Sequence, residues 1–217
     1  MHFEILVEDV SGKRTLENLV PRIVGPNHTW KVVSYKGIGN IPRNLDAKTD
    51  PAKRILLQEL PRLLRGYGRA YLSDPRDYAV ILVCDLDDRC LKEFRAELLK
   101  VLNNCDPQPT TRFCIAVEEG EAWLLGDIEA VIRAYPRAKT GALTNYIHDS
   151  ICGTWEVLAD ALHAGGAKAL KEKGWQTIGA MKSTWAESIA PIIDVENNRS
   201  PSFQYFCSKL RELAEHE

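Results

Sequence analysis

The sequence lacks most of the signatures that would name a chemistry outright. Its six cysteines (Cys84, Cys90, Cys105, Cys114, Cys152 and Cys207) form no CxxC or CxxH pair. Zinc and thioredoxin-like roles are therefore not indicated, and the thiols read as small buried hydrophobes of a reducing compartment. There is no GxxxxGK[ST] phosphate loop and no GxSxG elbow. The first absence argues against an intrinsic P-loop ATPase, the second against a hydrolase of the serine-elbow kind. His2, His28, His148, His163 and His216 show no paired ligand spacing. No apolar run approaches the ~20 residues of a membrane span. The opening MHFEILVEDV reads as an acidic strand, not a signal peptide. The expectation is a cytoplasmic chain with no membrane partner.

Strong charge of one sign is missing as well. The formal net charge of −2 excludes a uniformly basic coat for nucleic acid. The distribution is uneven, however. Nine bases (Lys31, Lys36, Arg43, Lys48, Lys53, Arg54, Arg62, Arg65, Arg69) face three acids between residues 31 and 69, a local charge of +6. That segment is either a solvated helix face or a phosphate-contacting surface beside an acidic centre. The rest is ordinary. With 217 residues, 45% hydrophobic and 27% charged, the chain can bury a core without disulfides, as one domain or one domain with an appendage.

Hydrophobic runs and helical periodicity alternate along the first half. Strands are expected at 3–8, 30–35, 78–84 and 112–118. Helices are expected at about 12–24, 51–66 (with Pro61 as a kink) and 91–103. The strand at 78–84, YAVILVC, is continuous and β-branched, as strands buried on both faces are. After about residue 125 the pattern turns to helices and loops: 127–135, 154–163, 166–173 and 201–215. The fold expected is α/β, a mainly parallel sheet with helices on both faces (1–125), with a mostly helical C-terminal extension packed on it (126–217).

Three strands stop at carboxylates: Glu8 and Asp9 after the first, Asp85 and Asp87 after the third, Glu118, Glu119 and Glu121 after the fourth. In an open parallel sheet the strands' carboxyl ends line one edge, where ligands bind. Like charges crowded there raise one another's pKa unless a cation joins them. A hard divalent ion removes that penalty, and magnesium is commonly held by one or two carboxylates plus substrate phosphates.

These residues carry a resemblance. FEILVEDVSGKRTLENLV (3–20) resembles the opening of TOPRIM domains, and VILVCDLDD (80–88) resembles their DxD segment. The order VEDVSGKRTL, YKGIGNIPRNL, VCDLDD, VEEGEAWLLGD and NRSPSFQYF is similar to an uncharacterised TOPRIM-related prokaryotic family. Its members often stand beside ABC-type or SMC-like ATPases, as in phage-defence modules of the overcoming-lysogenization-defect kind. The resemblance implies Glu8 as acid/base or metal ligand and Asp85 and Asp87 as metal ligands. It implies a further ligand from Glu118, Glu119 or Glu121, of which the EAWLL context favours Glu121. Asp88 stands where TOPRIM segments commonly carry Gly. No tyrosine-nucleophile domain or primase zinc module accompanies the pattern, so topoisomerase and primase activities are not implied.

The implied activity is phosphodiester hydrolysis of DNA or RNA assisted by Mg²⁺ or Mn²⁺, in an ATPase-coupled defence system. The alternative is a non-catalytic TOPRIM-like adaptor for a partner ATPase or nucleic acid. Lys182 in MKSTWA is a candidate for offsetting charge at the reacting phosphate. Lys13, Lys36 and the backbone at Gly37 and Gly39 are candidates for binding phosphate. Trp123, Trp155, Trp175 and Trp185 could stack on bases or fill the core. In NRSPSF, Arg199, Ser200 and Ser202 suit either an anion at a helix start or simple capping.

Overall fold

The computed structural model describes residues 1–46, 49–73, 77–150 and 153–215; Lys48, Cys152 and His216 lie outside the described residues. The chain begins β1 (His2–Val7), α1 (Val10–Val24), β2 (Thr29–Ser34), α2 (Leu56–Ala70), β3 (Tyr78–Asp85), α3 (Leu91–Asn103) and β4 (Thr111–Ala116). It continues α4 (Glu121–Leu125), α5 (Ile128–Ala134), α6 (Thr140–Thr144), α7 (Thr154–Leu162), α8 (Gly166–Glu172), α9 (Trp175–Ile189) and α10 (Pro201–Ala214). The strands form one all-parallel sheet in the order β2-β1-β3-β4. The α/β class, the parallel sheet and the helices on both faces are as the sequence pattern implies.

Strand periodicity divides the core into two layers. Phe3, Ile5 and Val7 of β1, Ala79, Ile81 and Val83 of β3, and Cys114 and Ala116 of β4 face one layer. Leu6, Val80, Leu82, Cys84, Phe113 and Ile115 face the other, against Leu56, Leu57, Leu60 and Leu64 of α2 and Phe94, Leu98 and Val101 of α3. On the first face, α1 packs beside residues of α4, α7, α9 and α10. The C-terminal helices therefore share one continuous core with the sheet. Without them α1 alone would be left to cover that face. Among the described residues no helix is long and apolar enough to cross a membrane.

Several elements depart from the expected pattern, the short helices α4 and α6 among them. The helix foreseen over 51–66 splits: a 3₁₀ turn, Pro51–Lys53, ends at left-handed Arg54 (φ 53°), and α2 then runs from Leu56 through Pro61 to Ala70. The 15-residue helix α9 lies where the pattern gave none. Glu4 is a buried acid inside β1; it accepts hydrogen bonds from the hydroxyls of Tyr67 (3.3 Å) and Tyr71 (3.1 Å), which offset much of its desolvation.

Candidate functional site

Strand order reverses between β1 and β3, because β2 lies on one side of β1 and β3 on the other. At such a switch point the connections after the two strands leave in opposite directions and open a crevice. Glu8 follows β1 and Asp85 ends β3, so the sequence delivers both carboxylates to this crevice. The backbone N–H of Asp85 favours the charged form of the Glu8 carboxyl. Glu8 Oε2 is buried with no hydrogen-bond partner. Burial above all, then the charges of Asp87 and Asp9, pushes the Glu8 carboxyl up to about 7. Asp85 Oδ1 accepts the N–H of Gly120 at 2.9 Å. Burial, followed by the charge of Glu8, holds Asp85 well above the usual carboxylate range, against the opposing pull of Lys182. Glu8, Asp85, Gly12, Gly120, Glu121 and Lys182 help enclose a cavity of about 40 Å³.

Around that pair the expected ligands separate into distinct roles. Asp87 is exposed, in the left-handed region at φ 53°, with its N–H donated to the carbonyl of Glu118. Glu118 turns to α7: its carboxylate accepts Gly153 N–H (2.7 Å), Thr154 N–H (2.9 Å) and the Thr154 hydroxyl. A carboxylate at a helix start satisfies orphan amides and the helix dipole together. Glu118 is thus employed in anchoring α7.

Glu119 and Glu121 share Lys182, whose Nζ lies 3.5 Å from Glu119 and 2.9 Å from Glu121. Burial opposes the charge on Lys182, yet Glu121, Glu119 and Asp85 outweigh it and keep the ammonium protonated. Glu119 also accepts the N–H of Trp155 at 3.1 Å; burial still pushes its carboxyl up to about 7. The favoured fourth ligand, Glu121, is therefore already neutralised by a buried cation. Among the described residues no three His, Cys, Asp or Glu side chains come close enough to hold one metal ion. The expected set of four reduces to Glu8 and Asp85, with Asp87 at the rim.

The expected phosphate-binding groups fare differently from the acids. Lys13 pairs with Glu17 on the surface of α1 at 3.6 Å. Lys36 is exposed at the end of β2. The Gly37 N–H, foreseen as facing phosphate, is occupied by the Glu8 carbonyl at 3.1 Å. Gly39 accepts a hydrogen bond from Arg89 through its carbonyl, at 3.2 Å. Its φ is +63°, and a Cβ there would meet Ile55 Cγ2 at 2.2 Å, so only glycine closes this loop. The glycines of GIGN thus position the Glu8 strand end and Arg89. In the basic segment, Arg62 pairs with Glu59 (2.6 Å) and Arg65 with Asp46 (2.9 Å), while Lys36, Arg43, Lys53 and Arg69 stand exposed.

The tail block is structural. Asn198 is wholly buried; its amide donates to the Trp123 carbonyl (2.8 Å) and accepts Ser200 N–H (3.0 Å). The anion at the start of α10 is the chain's own Asp149, which accepts Ser200 Oγ–H and Ser202 N–H, each at 2.6 Å. Trp123, Trp155 and Trp185 are core residues, whereas Trp175 is 78% exposed. Asn198→Ala strands the Trp123 carbonyl and the Ser200 amide, and should lower stability by about 2 kcal/mol in chemical denaturation. An unchanged midpoint would refute this bracing role.

The fold and this edge define an α/β protein with a carboxylate pair and a buried lysine at the switch point of a parallel sheet. The chain belongs to the family described as Domain of unknown function (DUF4276), whose model matches residues 7–211 and so spans every site residue above. No curated protein and no solved structure matches it.

Proposed function

We propose that this chain is a Mg²⁺- or Mn²⁺-dependent nuclease of the TOPRIM type. It would hydrolyse DNA or RNA phosphodiesters in the cytoplasm, as the effector of an ATPase-coupled defence system. One observation carries the reading: two partly buried carboxylates, Glu8 and Asp85, meet at the switch-point crevice, and Glu8 Oε2 has no partner. An orphaned buried oxygen of this kind costs about 1–3 kcal/mol, and a cation would remove that penalty along with the mutual repulsion. The donor set suits magnesium, which needs only one or two carboxylates when phosphate and water complete its shell. Glu8 and Asp85 would hold it, with Asp87 within reach of the same charge. When bound, such an ion supplies an acidified water and charge relief at the phosphate.

The chain's own residues supply the rest. Glu8, at the mouth of the crevice, would also orient the attacking water and accept its proton. The Gly120 N–H fixes Asp85 in one orientation. Lys182 offsets part of the charge of Glu119 and Glu121, which makes the edge less acidic toward a polyanion. The water oxygen bonds to phosphorus as the P–O bond to the leaving nucleotide breaks, and that oxygen leaves with a proton from solvent.

The adaptor reading draws support from the lack of any three-ligand group among the described residues. Titration separates the two. The nuclease reading expects Mn²⁺ to raise the melting temperature at pH 8 by several degrees, and to switch on cutting of a DNA or RNA panel with or without the partner ATPase. No Mn²⁺ shift and no cutting would overturn it in favour of the adaptor.

A further inference from the structure

Arg89 directly follows the DLDD segment. Leu86 N–H and Asp87 N–H continue the β4 ladder past the end of β3, to the carbonyls of Ala116 and Glu118. Arg89 N–H then returns to the Leu86 carbonyl at 3.2 Å. This turn holds the guanidinium over the Phe94 ring at 4.7 Å, with one nitrogen donating to the Gly39 carbonyl. The other terminal nitrogen, Nη1, is buried and has no acceptor. Among the described residues no carboxylate pairs with Arg89, although acids stand on both sides of the crevice. A buried guanidinium N–H without an acceptor is costly, which calls for an explanation.

Glu8 and Arg89 complement each other: one offers an unpaired buried acceptor, the other an unpaired buried donor. The GIGN loop ties them, since Gly37 bonds to the Glu8 carbonyl and Gly39 to Arg89. The buried Cys84 thiol at the end of β3 feels the charges of Asp85, Glu8 and Arg89 alike. A planar guanidinium stacked on an aromatic ring is pre-arranged for phosphate oxygens. Exposed Lys36 and Arg54 flank the same loop, so a polyanion is drawn in from that side.

We infer that Arg89 holds the phosphate of a nucleic-acid strand at this site, its Nη1 donating to a non-bridging oxygen while the Glu8–Asp85 pair holds the metal side. The inference rests on the nuclease reading and names the group that fixes its substrate.

The test uses the full chain with Ca²⁺, which supports binding, and with Mn²⁺ for cutting. The probe is a fluorescein-labelled oligodeoxynucleotide, with a second copy carrying one neutral methylphosphonate. Arg89→Lys and Arg89→Ala should weaken anisotropy-measured binding on the order of 10-fold and lower cutting by about 10²–10³-fold. The methylphosphonate should impair binding by the wild type and add little to Arg89→Ala. If Arg89 only braces Gly39, both variants will melt earlier while the methylphosphonate penalty stays undiminished, and the inference falls. Should the wild type cut nothing, the nuclease reading falls, and Arg89-dependent binding in Ca²⁺ still decides the phosphate role. Equal binding by wild type and Arg89→Ala overturns it.

Discussion

Asp85→Asn is expected to abolish Mn²⁺-dependent cutting while leaving a metal-free protein at least as stable as the wild type at pH 8. Asparagine keeps an oxygen that can accept the Gly120 N–H, so the strand end stays in place. What disappears is a negative charge held above the usual carboxylate range, first by burial and next by Glu8. A carboxyl whose folded pKa is raised binds more protons folded than unfolded. Stability therefore falls as pH climbs from the unfolded value toward the folded one. For Glu8 that window runs from the model-peptide 4.5 to about 7. The metal-free wild type should thus be more stable near pH 5 than at pH 8, by roughly 2 kcal/mol, or several degrees of melting temperature for a chain of this length. Asp85→Asn should flatten that slope and remove the Mn²⁺ stabilisation. Cutting should drop by at least about 10³-fold, the scale of a lost charge-stabilising group in a water-poor site. Calorimetric melts at the two pH values, with EDTA and with Mn²⁺, read all of this. A variant that cuts as the wild type does would remove Asp85 from the chemistry. A variant that melts far earlier would show its carboxylate bracing the fold.

Much of this site was legible from position alone. Glu8, Asp85 and Asp87 could be placed because a continuous apolar strand buried on both faces must stop where the charges begin, and parallel strands stop along one edge. Three things were not legible, for physical reasons. The engagement of Glu118 depends on the start of α7, 35 residues later, where Gly153 and Thr154 present their amides. Strand-end position gives no information on which way a glutamate will turn. Helix α9 was hidden because Gly174 precedes it without a side-chain cap, no acid stands in its first turn, and Gly179 interrupts it. Its stability comes from packing on α1 and the core through Ile178, Trp185 and Ile189, a tertiary contribution that local propensity does not record. Lys182 was singled out without the helix that carries it, so its partners were out of view. Arg89 is not legible because an arginine directly after two aspartates, Asp87 and Asp88, looks like surface. Only the stack on Phe94 and the unpaired Nη1 distinguish it.

Replacing Lys182 with methionine should produce the largest loss of stability of any substitution at this edge. The side chain is 16% exposed, and its ammonium sits between Glu119 and a Glu121 whose side chain is 5% exposed. Methionine fills the volume and packs well, so the loss would be electrostatic: two acids remain in a poorly solvated site with nothing to neutralise them. Removing one partner of a buried ion pair costs about 3–5 kcal/mol, a fall of roughly 10 °C for a chain of this length. Two controls bear on the cause. Lowering the pH to 5 should recover part of the loss, because Glu119, pushed up to about 7, is then protonated. Adding Glu121→Gln should recover more than half, since the worst-solvated charge is gone and the coupling between neighbouring sites is non-additive. Lys182→Met with an unchanged melt at pH 8, but with cutting lost, would restore the role the sequence suggested, a cation acting on the phosphate. A low melt rescued by Glu121→Gln would instead make Lys182 the counter-ion that leaves Glu8 and Asp85 as the acids still open to a metal.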